Sequence, residues 1–158
     1  LRLARLSRET YEKVKPVLPP WDIPLNPFDA GVCMQFHFTD MEAFFDVIAD
    51  IPGDENIHCA IMQMPLNPST LVSAVPGITE EFIRALEKKY IHSMLNMKAS
   101  GKPFALWRSA MDPEEQRLAD IIESHDMPVF QSAERAIKAL AAMQRYEKRK
   151  AAGMHHTA

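Results

Sequence analysis

Hydrophobic positions along this chain switch repeatedly between a helical period and short continuous apolar runs. Tyr11, Val14 and Leu18 recur at helical spacing behind Ser7, which predicts a short capped helix ending at the prolines 16, 19 and 20. Met41, Phe44, Phe45 and Ile48 define a second amphipathic stripe, with Thr39 and Glu42 spaced as a capping box. Phe82, Ile83, Leu86 and Tyr90 predict a longer helix after Thr79. Leu118, Ala119, Ile121 and Ile122 predict another, which starts at Asp112-Pro113 with Glu115 in its first turn. A last helix follows Ser132, with Ala133, Ile137, Leu140 and Ala141 on its apolar side. Between the helices lie short apolar runs at residues 57–64, 103–107 and 127–130, each read as a buried strand. Residues 32–38 are read as a strand or a buried loop. Leu1-Arg2-Leu3-Ala4-Arg5-Leu6 alternates as a short strand entered abruptly, a hint of a missing N-terminal part.

Helices alternating with short apolar strands predict an α/β fold, a parallel sheet with helices on both faces. In such sheets ligands sit outside the carboxyl ends of the strands. The candidate functional rim is therefore the loop at residues 65–70, the loop at 108–111 and residues 26–29. The last of these closes Leu18-Pro19-Pro20-Trp21-Asp22-Ile23-Pro24-Leu25-Asn26-Pro27-Phe28-Asp29. Four prolines in that stretch exclude a helix or a central strand and make it an ordered loop. Asn26 and Asp29 can fix neighbouring backbone amides, either at a functional rim or as a plain Asx turn organising the crossover. Asn67, Ser69 and Thr70 offer hydroxyls and amides to a phosphate or carboxylate, or else an ordinary helix cap. Arg108, at a strand end, suits an anion or a surface ion pair.

Composition narrows the classes. The chain has 158 residues, enough for one domain with a core, and residues 151–158 read as a flexible tail. A net charge of −3 argues against nucleic-acid binding, and there is no apolar run long enough to span a bilayer. The two cysteines, Cys33 and Cys59, form no CxxC and read as free buried thiols in a reducing, cytoplasmic compartment. The six histidines show no metal spacing. No nucleophile stands beside a base, no paired carboxylates mark a cleft and no glycine-rich loop is present, so no catalytic residue and no metal ligand is assigned.

Several segments nevertheless follow one another in a recognisable order: Leu6-Ser7-Arg8-Glu9-Thr10, Val17-Leu18-Pro19-Pro20-Trp21, Asn26-Pro27-Phe28-Asp29, Gly101-Lys102-Pro103-Phe104, and Met127-Pro128-Val129-Phe130 with Ala133-Glu134-Arg135-Ala136. The set resembles the NDP-forming acyl-CoA synthetases, the ADP-forming acetate–CoA ligases of the succinyl-CoA synthetase superfamily, in the last flavodoxin-like domain of their CoA-binding part. The resemblance covers nearly the whole chain. It implies a partial flavodoxin-like domain over residues 1–150, a three-layer fold lacking its first strand and helix. It also implies a reaction that interconverts acyl-CoA, ADP and phosphate with carboxylic acid, CoA and ATP through a phosphohistidine. The parent would use CoA, ATP or ADP and Mg, and its CoA-binding, phosphohistidine and ATP-grasp domains would be this chain's partners in an oligomer. None of the six histidines stands in the family's Ser-His-Thr-Gly context, so the chain alone is expected to bind no cofactor and to catalyse nothing. The family's Asn-Pro-Val-Asp-Leu stands here as Asn-Pro-Phe-Asp-Ala, which carries a role on the active-site rim to Asn26 and Asp29. Arg108-Ser109 replace the small residues that often follow that strand. Two further readings are a catalytically silent regulatory domain, as in protein lysine acetyltransferases, and a stand-alone binding or assembly module.

Overall fold

A computed structural model describes residues 1–37, 41–64, 77, 79–108 and 113–153. These divide into two compact units. One comprises Leu1, Ile61–Met64 and Pro103–Ala158, the other Arg2–Ala60 and Pro65–Lys102.

The first unit holds a three-stranded parallel sheet in the order β1 (Ala60–Gln63), β2 (Phe104–Trp107), β3 (Val129–Phe130). Leu106 pairs with Val129 and Trp107 with Phe130. Backbone hydrogen bonds extend the pairing at both ends of β3, from the Leu106 N–H to the Pro128 carbonyl and from the Arg108 N–H to the Phe130 carbonyl, each 3.0 Å. On the other side of β2 the Met64 N–H donates to the Trp107 carbonyl at 2.8 Å. A parallel pair needs a crossover, and the helix Pro113–Glu123 supplies it between β2 and β3. It buries Leu118, Ala119 and Ile122, spaced to put one stripe inward. Asp126, at φ 56°, turns the chain in the left-handed region before Met127 goes into the core. The helix Ala133–Ala151 begins on Ser132, whose hydroxyl accepts from the Arg135 N–H, and packs on β2 and β3 through Ala136 and Leu140. Ala105 and Leu106 are both buried, so β2 has neither face in water, as the central strand of a parallel sheet requires.

The second unit is helical. In chain order the helices of the whole chain are α1 (Arg8–Val14), α2 (Ala30–Met34), α3 (Met41–Asp50), α4 (Glu80–Ala99), α5 (Pro113–Glu123) and α6 (Ala133–Ala151). Ser7 caps α1 through the Thr10 N–H, and Thr79 caps α4 through the Phe82 N–H. The prolines at 16 and 52 begin 3₁₀ turns, Lys15–Val17 and Ile51–Gly53, that stop α1 and α3. α3 lies along α4, and α1 and α2 pack on α3. Phe45 meets Phe44 at 5.6 Å and Tyr90 at 6.3 Å, both edge to face. Val14, Cys33, Phe44 and Met94 are all within 1% of complete burial. Each large apolar side chain so buried is worth roughly 1.5–3 kcal/mol over leaving it in water.

Several expectations change. Leu1 to Leu6 form no strand: Leu1 and Leu3 are exposed, and the Ala4 carbonyl accepts a side-chain amide rather than a ladder hydrogen bond. Residues 30–34 are helical because Asp29 caps them, overriding the apolar run that suggested a strand. The apolar runs at 57–64 and 127–130 shrink to strands of four and two residues. Ile57 and Met127 are still buried, but outside the ladder. Phe82 and Ile137 face water, because each stands one position, about 100° of helix, off the buried stripe that runs through Ile83 or Ala136. The Thr39–Glu42 capping box, the loop at 65–70, residues 109–111 of the loop at 108–111 and the Asp112 cap lie outside the described residues.

Candidate functional site

The proline loop is built from within. Leu25 and Phe28 form an antiparallel bridge around Asn26-Pro27, whose peptide bond is cis. The Asn26 side-chain N–H donates to the Ala4 carbonyl at 3.0 Å, pinning the loop to the N-terminal segment. Asp29 Oδ1 accepts the Val32 N–H at 3.0 Å, while the Asp29 carbonyl accepts the Cys33 N–H at 3.3 Å and starts α2. Trp21, half exposed, sets its ring edge-on to Phe36 at 5.4 Å. A shallow cavity of about 430 Å³ runs beside the loop, between Tyr11 and Lys15 on one side and Leu18, Trp21, Ile23 and Leu25 on the other.

Both polar anchors of the loop therefore spend hydrogen-bonding atoms on their own backbone. Asp29 does so locally, as the cap of α2, and Asn26 at long range, to a carbonyl 22 residues away. Arg108 belongs to the sheet unit, one residue beyond β2. Its guanidinium donates to the Gln116 side-chain oxygen on α5, and Gln116 in turn donates to Asp120 at 2.6 Å. Arg108 thus ties the β2 end to the crossover helix. Asn67, Ser69 and Thr70 lie outside the described residues.

The most highly organised polar group escaped the sequence reading. Asp54, 4% exposed, receives the Ser7 N–H at 2.7 Å on one carboxylate oxygen and the Asn56 N–H at 2.8 Å on the other. Burial alone would raise this carboxyl. The Thr10 side chain, the Asn56 and Ser7 N–H groups and the Ser7 hydroxyl outweigh it and lower the pKa to about 2. The Lys102 ammonium donates to the Asp54 carbonyl, so one residue ties α1, the 3₁₀ turn and the approach to β2. The signal available in the sequence was an aspartate closing an Ile-Pro-Gly turn; its reach across 47 residues to Ser7 was not.

Both cysteines are free, Cys33 buried and Cys59 half-buried. Burial, and then the charge of Asp29, push the Cys33 thiol up, away from nucleophilic use. The buried Nε2 of His37 has no hydrogen-bond partner among the described residues, and its ring stacks on Phe44 at 6.1 Å. Among the described residues no group of three His, Cys, Asp or Glu side chains could hold a metal ion, and no helix is long and apolar enough to cross a membrane. No protein-family model, no curated protein and no solved structure matches the chain.

Proposed function

We propose that this chain is a flavodoxin-like part of an NDP-forming acyl-CoA synthetase. In this reading it supplies scaffold and active-site rim in the cytoplasm, while the phosphohistidine and ATP-grasp domains carry the phosphoryl group. The observation that carries the reading is the ordered motif set. Its members fall at joints of this chain's α/β pattern: Leu6 to Thr10 at the cap of α1, Gly101 to Phe104 at the entry to β2, Met127 to Phe130 at β3. Gly101, at φ 71°, supports the first of the strand entries, since a left-handed turn there favours glycine. Asn26 and Asp29 then act through loop shape, holding a rim that the other domains complete. CoA, ADP and Mg would be bound by the assembled enzyme.

The test is acyl-CoA-dependent ATP formation with ADP and phosphate. The isolated chain should give no turnover, and adding the CoA-binding, phosphohistidine and ATP-grasp domains should restore it. Turnover by the chain alone, or none after complementation, would sink the proposal. A regulatory, catalytically silent domain is the second reading. It is favoured by the engagement of Asn26, Asp29 and Arg108 in contacts of the fold itself. Under that reading, complementation with the ligase domains fails.

A further inference from the structure

Among the described residues nothing packs on the distal part of α6. Residues 142–151 are all exposed, including Met143 and Tyr146 at 52% and 64%. Over the 19 residues of α6 only Ala136 and Leu140 are buried. The free part carries Arg145, Lys148, Arg149 and Lys150 against the single Glu147, and none of the four cations makes an ion pair among the described residues. Cations in a last turn complement the helix dipole. That accounts for Lys148 to Lys150, but not for a helix that continues past its last buried residue with Met143 and Tyr146 in water. Because the stretch is so basic, the rest of a chain at −3 is more acidic than its net charge suggests.

Part of that acid is concentrated. A cleft of about 470 Å³ opens between α1, α3 and α4, lined by Lys13, Asp46, Val47, Ala49, Asp50 and Asn96. Asp46 and Asp50 stand one turn apart on α3, both exposed. Lys13, the one cation in the described lining, pairs with Glu9 at 3.1 Å and also feels the charge of Asp50, so two aspartates share a single, already paired cation and the opening stays acidic. A helix with its side chains is roughly 10–12 Å across, so a cleft of this size takes side-chain ends rather than a helix body.

We propose that the chain associates with a second copy of itself, the free basic end of α6 in one copy placing its Lys and Arg side chains against the Asp46–Asp50 cleft of another. The occupant follows from charge complementarity: every copy carries a basic helix end without ion pairs among the described residues and a cleft lined by more carboxylates than cations. Pairs of exposed charges are individually weak, so the contact is concentration-dependent and sensitive to salt. It is independent of the ligase proposal and holds whether or not the chain serves that reaction.

Sedimentation velocity on the full chain tests it. At about 20 mM salt the weight-average sedimentation coefficient should rise with concentration, and at about 500 mM it should fall to that of a 17.9 kDa monomer. K148E/R149E/K150E and D46K/D50K should each remain monomeric, and mixing the two should restore association, because the mixture sets the basic α6 end of one variant against the acidic cleft of the other and the acidic end against the basic cleft. Circular dichroism checks that each variant keeps its helix content, and K148Q/R149Q/K150Q serves if the glutamates fray α6. A wild type that stays monomeric at low salt overturns the proposal. So does association that survives either reversal, a mixture that stays monomeric, or binding to anionic phospholipid vesicles by a chain that remains a monomer.

Discussion

Asp54 is a candidate for a large single-residue effect on stability, because two backbone N–H groups donate to a carboxylate that water barely reaches and the Thr10 and Ser7 side chains help keep it ionised. Asp54→Asn keeps the shape but replaces an acceptor oxygen by a donor facing an N–H, and should cost about 1–3 kcal/mol at neutral pH, read by urea unfolding. The pH dependence has a definite sign. In the fold the carboxyl stays ionised down to about 2, whereas in the unfolded chain it takes up a proton at its ordinary 3.8. Its stabilisation is therefore complete above that ordinary value and is lost as pH falls toward 2. The gap between wild type and the Asn variant should close over that window; a gap that stays constant would show that Asp54 is not the titrating group. The cysteines give a second residue-scale expectation. With a disulfide reagent on native protein Cys59 should react and Cys33 should not, since Cys33 is fully buried with a raised thiol pKa; denaturant should then release both. Asp54 was hidden in the sequence because its meaning lies in Ser7 and Thr10, which only folding brings to it.

Among the elements, β2 is the one the sheet cannot lose. It pairs on both sides, and Ala105 and Leu106 are closed to water. Leu106→Ala should cost about 2–5 kcal/mol by thermal or urea unfolding, the range for a buried leucine that leaves a cavity. Ser132→Ala removes the acceptor for the Arg135 N–H and should cost about 1 kcal/mol, with the loss confined to the start of α6 in hydrogen exchange. The helices legible as periodic stripes, α1 and α3 through α6, are the ones of seven residues or more, long enough to repeat the pattern. α2 was not, because five residues hold little more than one turn and its only clear mark is the Asp29 cap. Val32, Cys33 and Met34 read as a strand by residue type until that cap is recognised. Within α4 and α6 the stripe was placed one residue wide of the truth at Phe82 and Ile137, since several adjacent apolar residues compete for one buried face.

At the scale of the whole molecule, the two compact units divide the candidate rim. Asn26 and Asp29 belong to the helical unit and Arg108 to the sheet unit. Each is held by partners inside its own unit, Ala4 and Val32 for the loop and Gln116 for Arg108. Under the ligase proposal the double variant Asn26→Ala/Asp29→Ala should lower acyl-CoA-dependent ATP formation by the complemented enzyme at least tenfold with little change in overall fold content by circular dichroism. Full activity in that variant would remove both residues from the rim.

The order of helices and short apolar runs was enough to establish an α/β chain with parallel strands, because a repeating period records which face of each segment is buried. Proline and capping residues were likewise enough to place the loop at 18–29 and the starts of α1, α4 and α6. Tertiary structure decided the rest. It made Leu1 to Leu6 a segment tied by Asn26 and brought Ser7 and Thr10 to Asp54. Those outcomes depend on which distant groups find one another as partners, and local sequence does not encode a partner 22 or 47 positions away.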